Sequence, residues 1–244
     1  MRIIYFVYGL ACYAMFLGVF LYTVGFVGNF GVPKTLDSGA HTPFVMALLI
    51  NSALLGVFAV QHSVMARPSF KRWWTTIIPE PVERSTYVLF TNLALILLFC
   101  QWRPMGRVIW DVADSPLAYV IWTVCAVGWG IVFISTFLID HFDLFGLRQV
   151  YFHLRGKTDV DKTFRTPLFY KHVRHPIYVG FAIAFWATPV MTVAHLLFAV
   201  GVTVYTVIGA TLEERDLVSH FGDRYREYKQ RVPMLVPSFK RKLK

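Results

Sequence analysis

The sequence predicts an all-α, polytopic integral membrane helical bundle, with four spans followed by a C-terminal helical hairpin and an amphipathic cytoplasmic helix. Three observations support this fold class. The chain of 244 residues is 56% hydrophobic, its mean hydropathy is +0.53, and its charges lie in blocks between long apolar runs. Several of these runs reach the roughly 20 residues that an α-helix needs to cross a bilayer.

Each element is predicted from an apolar run or from a break in one. The four predicted spans are residues 3–27, 43–66, 85–102 and 116–139. The first run exceeds the apolar core of a signal peptide and lacks a clear small-residue cleavage site, so we expect it to remain as a helix. The fifth run, 176–212, is too long for one helix, and Thr188-Pro189 interrupts it near the middle. It is therefore predicted to form the hairpin.

Residues 213–231 are predicted as the amphipathic helix. The apolar and aromatic residues that recur there at helical spacing are Leu217, Phe221, Tyr225 and Tyr228. We expect these aromatic side chains to pack rather than to contact a cofactor. The whole chain is predicted as one membrane domain, with a four-span part over 1–139 and a cofactor-binding part over 140–244.

The basic residues indicate an orientation in the membrane. If the N-terminus is cytoplasmic, 21 of the 24 Lys and Arg residues lie on the cytoplasmic side, and only Lys34, Arg103 and Arg107 lie on the other side. Such an asymmetry is the positive-inside pattern of membrane proteins. The net charge of +10 is therefore interpreted as topology plus attraction to anionic lipids. Nucleic-acid binding is disfavoured, because the basic residues are spread over four juxtamembrane segments without a recognised motif.

The cysteines do not indicate a disulfide framework or a metal site. Cys12, Cys100 and Cys125 all fall inside predicted spans, where cysteine is usually a small buried hydrophobe. The sequence contains no CxxC pair, and no metal ion is predicted. No feature of the sequence indicates an obligate protein partner.

Polar residues collect at one face of the predicted bundle. Five segments bring ionisable groups to a similar depth there: Gln61-His62-Ser63, Glu83-Arg84, Asp140-His141-Phe142-Asp143, Arg174-His175 and Glu213-Glu214. Ionisable groups beside hydrocarbon are costly and are functional candidates. The sequence therefore predicts that the chemistry takes place at this cytoplasmic face.

Motifs in the C-terminal part resemble a known family of membrane enzymes. They are Tyr-Lys-His-Val-Arg-His-Pro-Ile-Tyr-Val-Gly over 170–180, Glu213-Glu214, Phe-Gly-Asp-Arg-Tyr over 221–225 and Arg-Val-Pro over 231–233. Over residues 140–237 the chain resembles the integral-membrane methyltransferases related to isoprenylcysteine carboxyl methyltransferase and phospholipid methyltransferases. No glycine-rich Rossmann fingerprint is present.

A narrower resemblance extends across most of the chain. Its motifs are Gln-His-Ser-Val-Met-Ala over 61–66, Glu-Arg-Ser-Thr-Tyr over 83–87, Gln-Trp-Arg-Pro over 101–104 and the segment 140–151. They resemble the bacterial methanethiol S-methyltransferase branch, which makes dimethyl sulfide. This resemblance implies S-adenosyl-L-methionine as the cofactor, a small thiol as substrate, and a multi-pass protein of the bacterial cytoplasmic membrane with both termini inside.

The candidate cofactor-binding residues are His172, Arg174, His175, Tyr178, Glu213 and Glu214. Pro176 suits the first turn of a helix, whose free N–H groups and dipole attract anions, and Arg174 adds a donor for a carboxylate. Two adjacent carboxylates favour a nearby cation. A bound sulfonium would supply it in the functional reading, whereas Arg174 or Arg215 would supply it in the structural one. In that second reading Arg174, His175 and Tyr178 are ordinary interfacial residues.

The candidate catalytic residues are His62, Arg84 and His141. A thiol must lose its proton to attack, because the thiolate is the nucleophile. An imidazole titrates near neutrality and is a suitable base, and His175 is a further candidate for this role. Arg84 or Arg148 could lower the pKa of the thiol electrostatically.

Two alternatives remain open at this point. One keeps the enzyme class but changes the acceptor to a prenylated cysteine carboxylate or a lipid amine. The other is a non-enzymatic haem-binding or transport protein, for which His172 and His175 have a suitable spacing but no evident partner ligands.

Overall fold

The computed structural model describes residues 1–157 and 164–237, and these residues confirm the predicted all-α membrane fold. The helices are α1 (Arg2–Gly28), α2 (Phe44–Ala66), α3 (Pro68–Trp74), α4 (Glu80–Gln101), α5 (Leu117–Ile139), α6 (His141–Leu144), α7 (Leu147–Leu154), α8 (Pro176–Trp186), α9 (Val193–Phe221) and α10 (Asp223–Arg231). A 3₁₀ turn covers Leu168–Lys171. Lys162 and the four basic residues after 237 contribute to the predicted charge asymmetry and lie outside the described residues.

Five of the described helices are long and apolar enough to cross a membrane. They are α1, α2, α4, α5 and α9, while α8 is apolar but only 11 residues long. Large apolar side chains remain exposed along them, for example Leu21 at 68%, Leu49 at 65% and Val120 at 58%. A helix that is apolar on its exposed face as well as its buried face fits a lipid environment rather than water.

The predicted hairpin is formed by α8 and α9, and it breaks at the predicted Thr188-Pro189. Between the helices lies β2 (Val190–Thr192), which pairs antiparallel with β1 (Val108–Asp111), so that Val108 faces Thr192. The Thr192 side chain accepts a hydrogen bond from the His195 amide and caps α9. The strand pair, which the sequence analysis did not predict, ties the hairpin turn to the loop before α5.

The prediction of an amphipathic helix over 213–231 is wrong about the residue at which that helix begins. Residues 213–221 continue α9, which is interrupted only at Gly222, where φ is 60° and ψ is −131°. This positive φ is accessible to glycine at little cost, so the helix ends there and α10 follows. Glu213 and Glu214 therefore lie inside α9. The buried Glu214 carboxylate is paired there with Arg174 and Lys229.

Helix α5 packs against α8 through two glycines. A Cβ atom on Gly128 would lie 2.6 Å from the Ala184 nitrogen, and one on Gly180 would lie 2.8 Å from the Gly128 carbonyl oxygen. Small residues at such a contact let two backbones approach closely, as is common between membrane helices. The contact fixes α8, whose first residues carry the predicted cofactor motif.

Candidate active site at one end of the helix bundle

The five predicted polar segments do meet at one end of the bundle. Arg67, which follows α2, forms an ion pair with Asp216 of α9, with 2.8 Å between Nη1 and Oδ2. Arg84 near the start of α4 donates from Nε to the Leu144 carbonyl of α6 at 2.8 Å. Tyr178 of α8 donates from its hydroxyl to Glu213 of α9 at 3.0 Å. Together with the contact between His62 of α2 and Tyr87 of α4, these contacts join α2, α4, α6, α8 and α9 at the same end.

Glu214 is the centre of a buried charge cluster. Its side chain is only 1% exposed, and it accepts a hydrogen bond of 2.5 Å from Arg174 Nε. Lys229 Nζ of α10 lies 2.9 Å from its second oxygen, and His175 Nε2 lies 3.3 Å from the first. A carboxylate buried to this degree needs such charge-assisted bonds to offset its lost hydration. Glu214 thus connects α8, α9 and α10.

The C-terminal tail accepts hydrogen bonds from donors that the sequence analysis expected to bind an anion. The backbone amides of Arg174 and His175 donate to the carbonyls of Pro233 and Met234 at 2.9 and 3.2 Å. Arg174 Nη1 donates to the carbonyls of Lys229, at 3.0 Å, and of Val232. These Arg174 groups are therefore bonded within the protein, in line with the structural reading of this residue.

Glu213 differs from its neighbour in exposure. Its side chain is 44% exposed, and His175 Nδ1 lies 3.6 Å from the same Oε2 atom that accepts from Tyr178. The rings of His175 and Tyr178 stack with 5.3 Å between centroids and 13° between planes. One half-exposed carboxylate with two aligned aromatic partners can receive an external cation. His172 is exposed at the end of the 3₁₀ turn and lies outside this contact set.

His62 of α2 is held by two hydroxyl groups. Its Nε2 lies 2.8 Å from the Tyr87 hydroxyl and its Nδ1 lies 3.2 Å from Thr91 Oγ1, both on α4. The Arg84 guanidinium lies over the Tyr87 ring, 5.0 Å from its centroid. His62 and Arg84, two of the predicted catalytic residues, are therefore brought together around Tyr87.

His141 has a similar pair of partners but a different environment. Its Nε2 lies 2.8 Å from the Tyr13 hydroxyl and its Nδ1 lies 2.8 Å from Thr136 Oγ1. It stacks on Phe137 with 4.2 Å between ring centroids. Burial lowers the pKa of His141, although the Asp140 carboxylate opposes the change. The Phe145 ring packs both against His141 and against the cluster containing Tyr87, so His141 lies on the far side of that ring.

The two halves of the site lie close together around a group of tyrosines. The Tyr87 phenol lies within electrostatic range of Glu213 and of Tyr205 of α9, and the Tyr178 phenol lies within range of Tyr87, Tyr205 and Glu213. The His62 ring packs against Tyr205 with 6.2 Å between centroids. The acceptor-side candidate His62 and the cofactor-side candidate Glu213 thus belong to one cluster. Sequence reasoning missed Tyr205 and Thr91, because a hydroxyl residue within an apolar helix carries no distinctive pattern.

An apolar groove adjoins this cluster between α8 and α9. It has a volume of about 370 Å³ and extends from Tyr178 past Ile183 and Val202 to Val236 of the C-terminal tail. Its walls are almost entirely apolar, so a small apolar molecule fits the groove better than a charged one.

Comparison with known proteins identifies the family. The chain is 57% identical to methanethiol S-methyltransferase 1 of Bradyrhizobium diazoefficiens over 236 residues. The aligned region covers 97% of this chain and 83% of that protein. It is 52% identical over 231 residues to the methanethiol S-methyltransferase of Mycobacterium tuberculosis, covering 95% of each. The chain belongs to the methanethiol S-methyltransferase family.

Membership of this family confirms the resemblance expected from the motifs. The chain is more distantly similar to nurim of Rattus norvegicus, with 34% identity over 204 residues that cover 77% of this chain and 78% of that protein. No family model matches the chain, and no solved structure matches it.

Proposed function

We propose that the protein transfers a methyl group from S-adenosyl-L-methionine to methanethiol and releases dimethyl sulfide. The observation that carries this proposal is identity of 52–57% over nearly the whole chain to proteins named for methanethiol S-methylation. The geometry supports it, because the half-exposed Glu213 carboxylate and the hydrogen-bonded His62 belong to one cluster at one end of the bundle, and an apolar groove adjoins that cluster at Tyr178.

On the donor side, Glu213, Tyr178 and His175 are proposed to contact the methyl donor, which supplies an electrophilic methyl group on a sulfonium. The Glu213 carboxylate is open to a cation, and its Tyr178 partner lines the apolar groove. Arg174 and Glu214 are proposed to hold these three residues in position rather than to contact the donor. Arg174 is hydrogen-bonded to Glu214 and to the Lys229 carbonyl within the protein. His172 is exposed outside these contacts and is not proposed to contact the donor.

On the acceptor side, the proposed site lies between Tyr87 and Glu213. Arg84 lies beside it and favours a thiolate electrostatically. Methyl transfer is an in-line displacement, so holding the thiol and the methyl group in line contributes more to its rate than a covalent intermediate with the protein would. His141 is separated from this position by Phe145 and stays a weaker candidate.

We also propose that the site faces the cytoplasm in the bacterial inner membrane, with both termini inside. The described segments on the side of the site carry most of the basic residues, whereas Lys34, Arg103 and Arg107 lie at the opposite end. Attraction to anionic lipids follows from the same distribution.

The test is an assay of purified protein in detergent with S-adenosyl-L-methionine and a panel of acceptors: methanethiol, longer thiols and a prenylated cysteine. We expect dimethyl sulfide and S-adenosylhomocysteine in equal amounts. In the Glu213→Gln variant, loss of one charged contact should weaken donor affinity by roughly 10- to 100-fold.

The matched control for this variant is Asp223→Asn, because the Asp223 carboxylate is 85% exposed and pairs only locally with Arg226. It should leave donor affinity unchanged. Product formed from the prenylated cysteine alone would reject methanethiol as the acceptor, and equal donor affinity in both variants would remove Glu213 from the donor site.

A further inference from the structure

His62 has no free ring nitrogen with which to take a proton from a thiol. Thr91 donates its own hydroxyl proton to the Tyr87 backbone carbonyl at 3.0 Å, so its oxygen can only accept from His62 Nδ1. Nδ1 therefore carries the hydrogen of the neutral ring. Nε2 is then the acceptor, and the Tyr87 hydroxyl at 2.8 Å is its donor.

The Tyr87 hydroxyl stands between His62 and the rest of the site. Apart from Nε2, the nearest acceptor described for it is the His62 backbone carbonyl at 3.4 Å. The charged and titratable groups within electrostatic range of it are the guanidinium groups of Arg84 and Arg67, the Glu213 carboxylate, and the phenols of Tyr205 and Tyr178. Because the Tyr87 hydroxyl occupies Nε2, a proton that comes from the side of Glu213 reaches His62 only through the Tyr87 oxygen: Tyr87 gives its own proton to Nε2 and takes the incoming one.

We propose that Tyr87 is the residue that contacts the acceptor thiol, and that it relays the thiol proton to His62 while Thr91 holds His62 in the accepting tautomer. This inference rests on the proposed function and assigns its proton transfer. Tyr87 is then a catalytic residue, His62 is the proton acceptor, and Thr91 is a positioning residue.

The proton and electron transfers balance. The thiol S–H bond breaks and its proton goes to the Tyr87 oxygen, while the Tyr87 O–H proton goes to His62 Nε2. The sulfur electron pair forms the new S–CH₃ bond, and the bond between that methyl group and the sulfonium breaks, leaving its electron pair on the departing sulfur. His62 ends as a buried imidazolium near the Arg84 guanidinium, and both the burial and this repulsion favour release of the proton after turnover.

The test compares Tyr87→Phe with Tyr119→Phe, whose side chain is 80% exposed at the other end of the bundle. Tyr87→Phe should lower kcat for methanethiol by about 10²–10⁴-fold, while calorimetry shows S-adenosylhomocysteine affinity changed by less than about two-fold, since only the transition state uses the relay. The deficit should shrink for an aryl thiol, which is more acidic and ionises without help.

Thr91 gives a second measurement. Thr91→Val should lower kcat by roughly 10-fold or more, and Thr91→Ser should restore it, because a hydroxyl group alone is required. Three results would overturn the relay while leaving the proposed function intact. They are an unchanged kcat in Tyr87→Phe, a kcat deficit that does not depend on thiol acidity, and a loss of kcat in Tyr13→Phe instead of Tyr87→Phe. A wild-type protein that methylates no thiol would overturn both.

Discussion

Glu213 and Glu214 are adjacent in the sequence but occupy different environments. Glu214 is buried against two cations and a histidine, whereas Glu213 is half exposed beside Tyr178. Successive helix residues point about 100° apart, so one side chain enters the protein and the other faces the opening. A motif of two carboxylates therefore combines a structural role with a proposed binding role.

The different environments predict different effects on stability. Glu214→Ala should destabilise the protein by about 3–5 kcal/mol, because it leaves Arg174 buried without its counter-ion. Thermal unfolding in detergent should then begin at least roughly 6 °C lower. The control is Glu227→Ala, whose exposed pair with Arg231 should contribute little. A midpoint as high as that of the control would mean that Arg174 does not depend on Glu214.

At the residue scale, the sequence predicted the ionisable groups better than their partners. His62, Arg84 and the two glutamates could be found, because charge next to an apolar run is rare and costly. Tyr13, Thr136 and Thr91, which orient the two histidines, could not, since their positions depend on which helices pack together. The same packing separates His141 from His62.

At the scale of helices, the contact between α5 and α8 depends on its glycines. Gly128→Ala should destabilise the protein by about 1–3 kcal/mol, because the added methyl group would lie 2.6 Å from the Ala184 nitrogen. It should also weaken donor binding, since α8 begins at the proposed donor site. Both effects can be measured by thermal unfolding and calorimetry.

The same helix contains the control. Gly130 has open space around the position of a Cβ atom, so Gly130→Ala should be neutral or stabilise α5 by roughly 0.5–1 kcal/mol. If both substitutions behaved alike, close backbone packing at Gly128 would be excluded.

The helices also show which features a sequence can predict. The predicted spans agree with α1, α2 and α5 within one residue at each end, because apolar runs stop where the membrane stops. Helix α4 starts five residues earlier than predicted, with Pro81 and two glutamates in its polar first turn. The short helices α3, α6 and α7 were missed, since segments of 7, 4 and 8 residues are too short for hydrophobic periodicity to identify a helix.

At the scale of the molecule, the charge asymmetry predicts sidedness. In a variant without native cysteines, Arg155→Cys beyond α7 should resist a membrane-impermeant thiol reagent in intact cells. Ala113→Cys, exposed before α5, should react with it and is the control. Both should react after permeabilisation. Labelling of position 155 alone in intact cells would reverse the orientation.

Order of synthesis gives the tail contact a role in biogenesis. Pro233 and Met234 bond to the amides of Arg174 and His175, and Lys229 reaches Glu214 from α10. A ribosome emits α8 and α9 before it emits these residues, so a nascent chain exposes the Arg174 pair without its cover. The contacts around Arg174 can therefore be completed only after the residues through Met234 have been synthesised and have folded back against the start of α8.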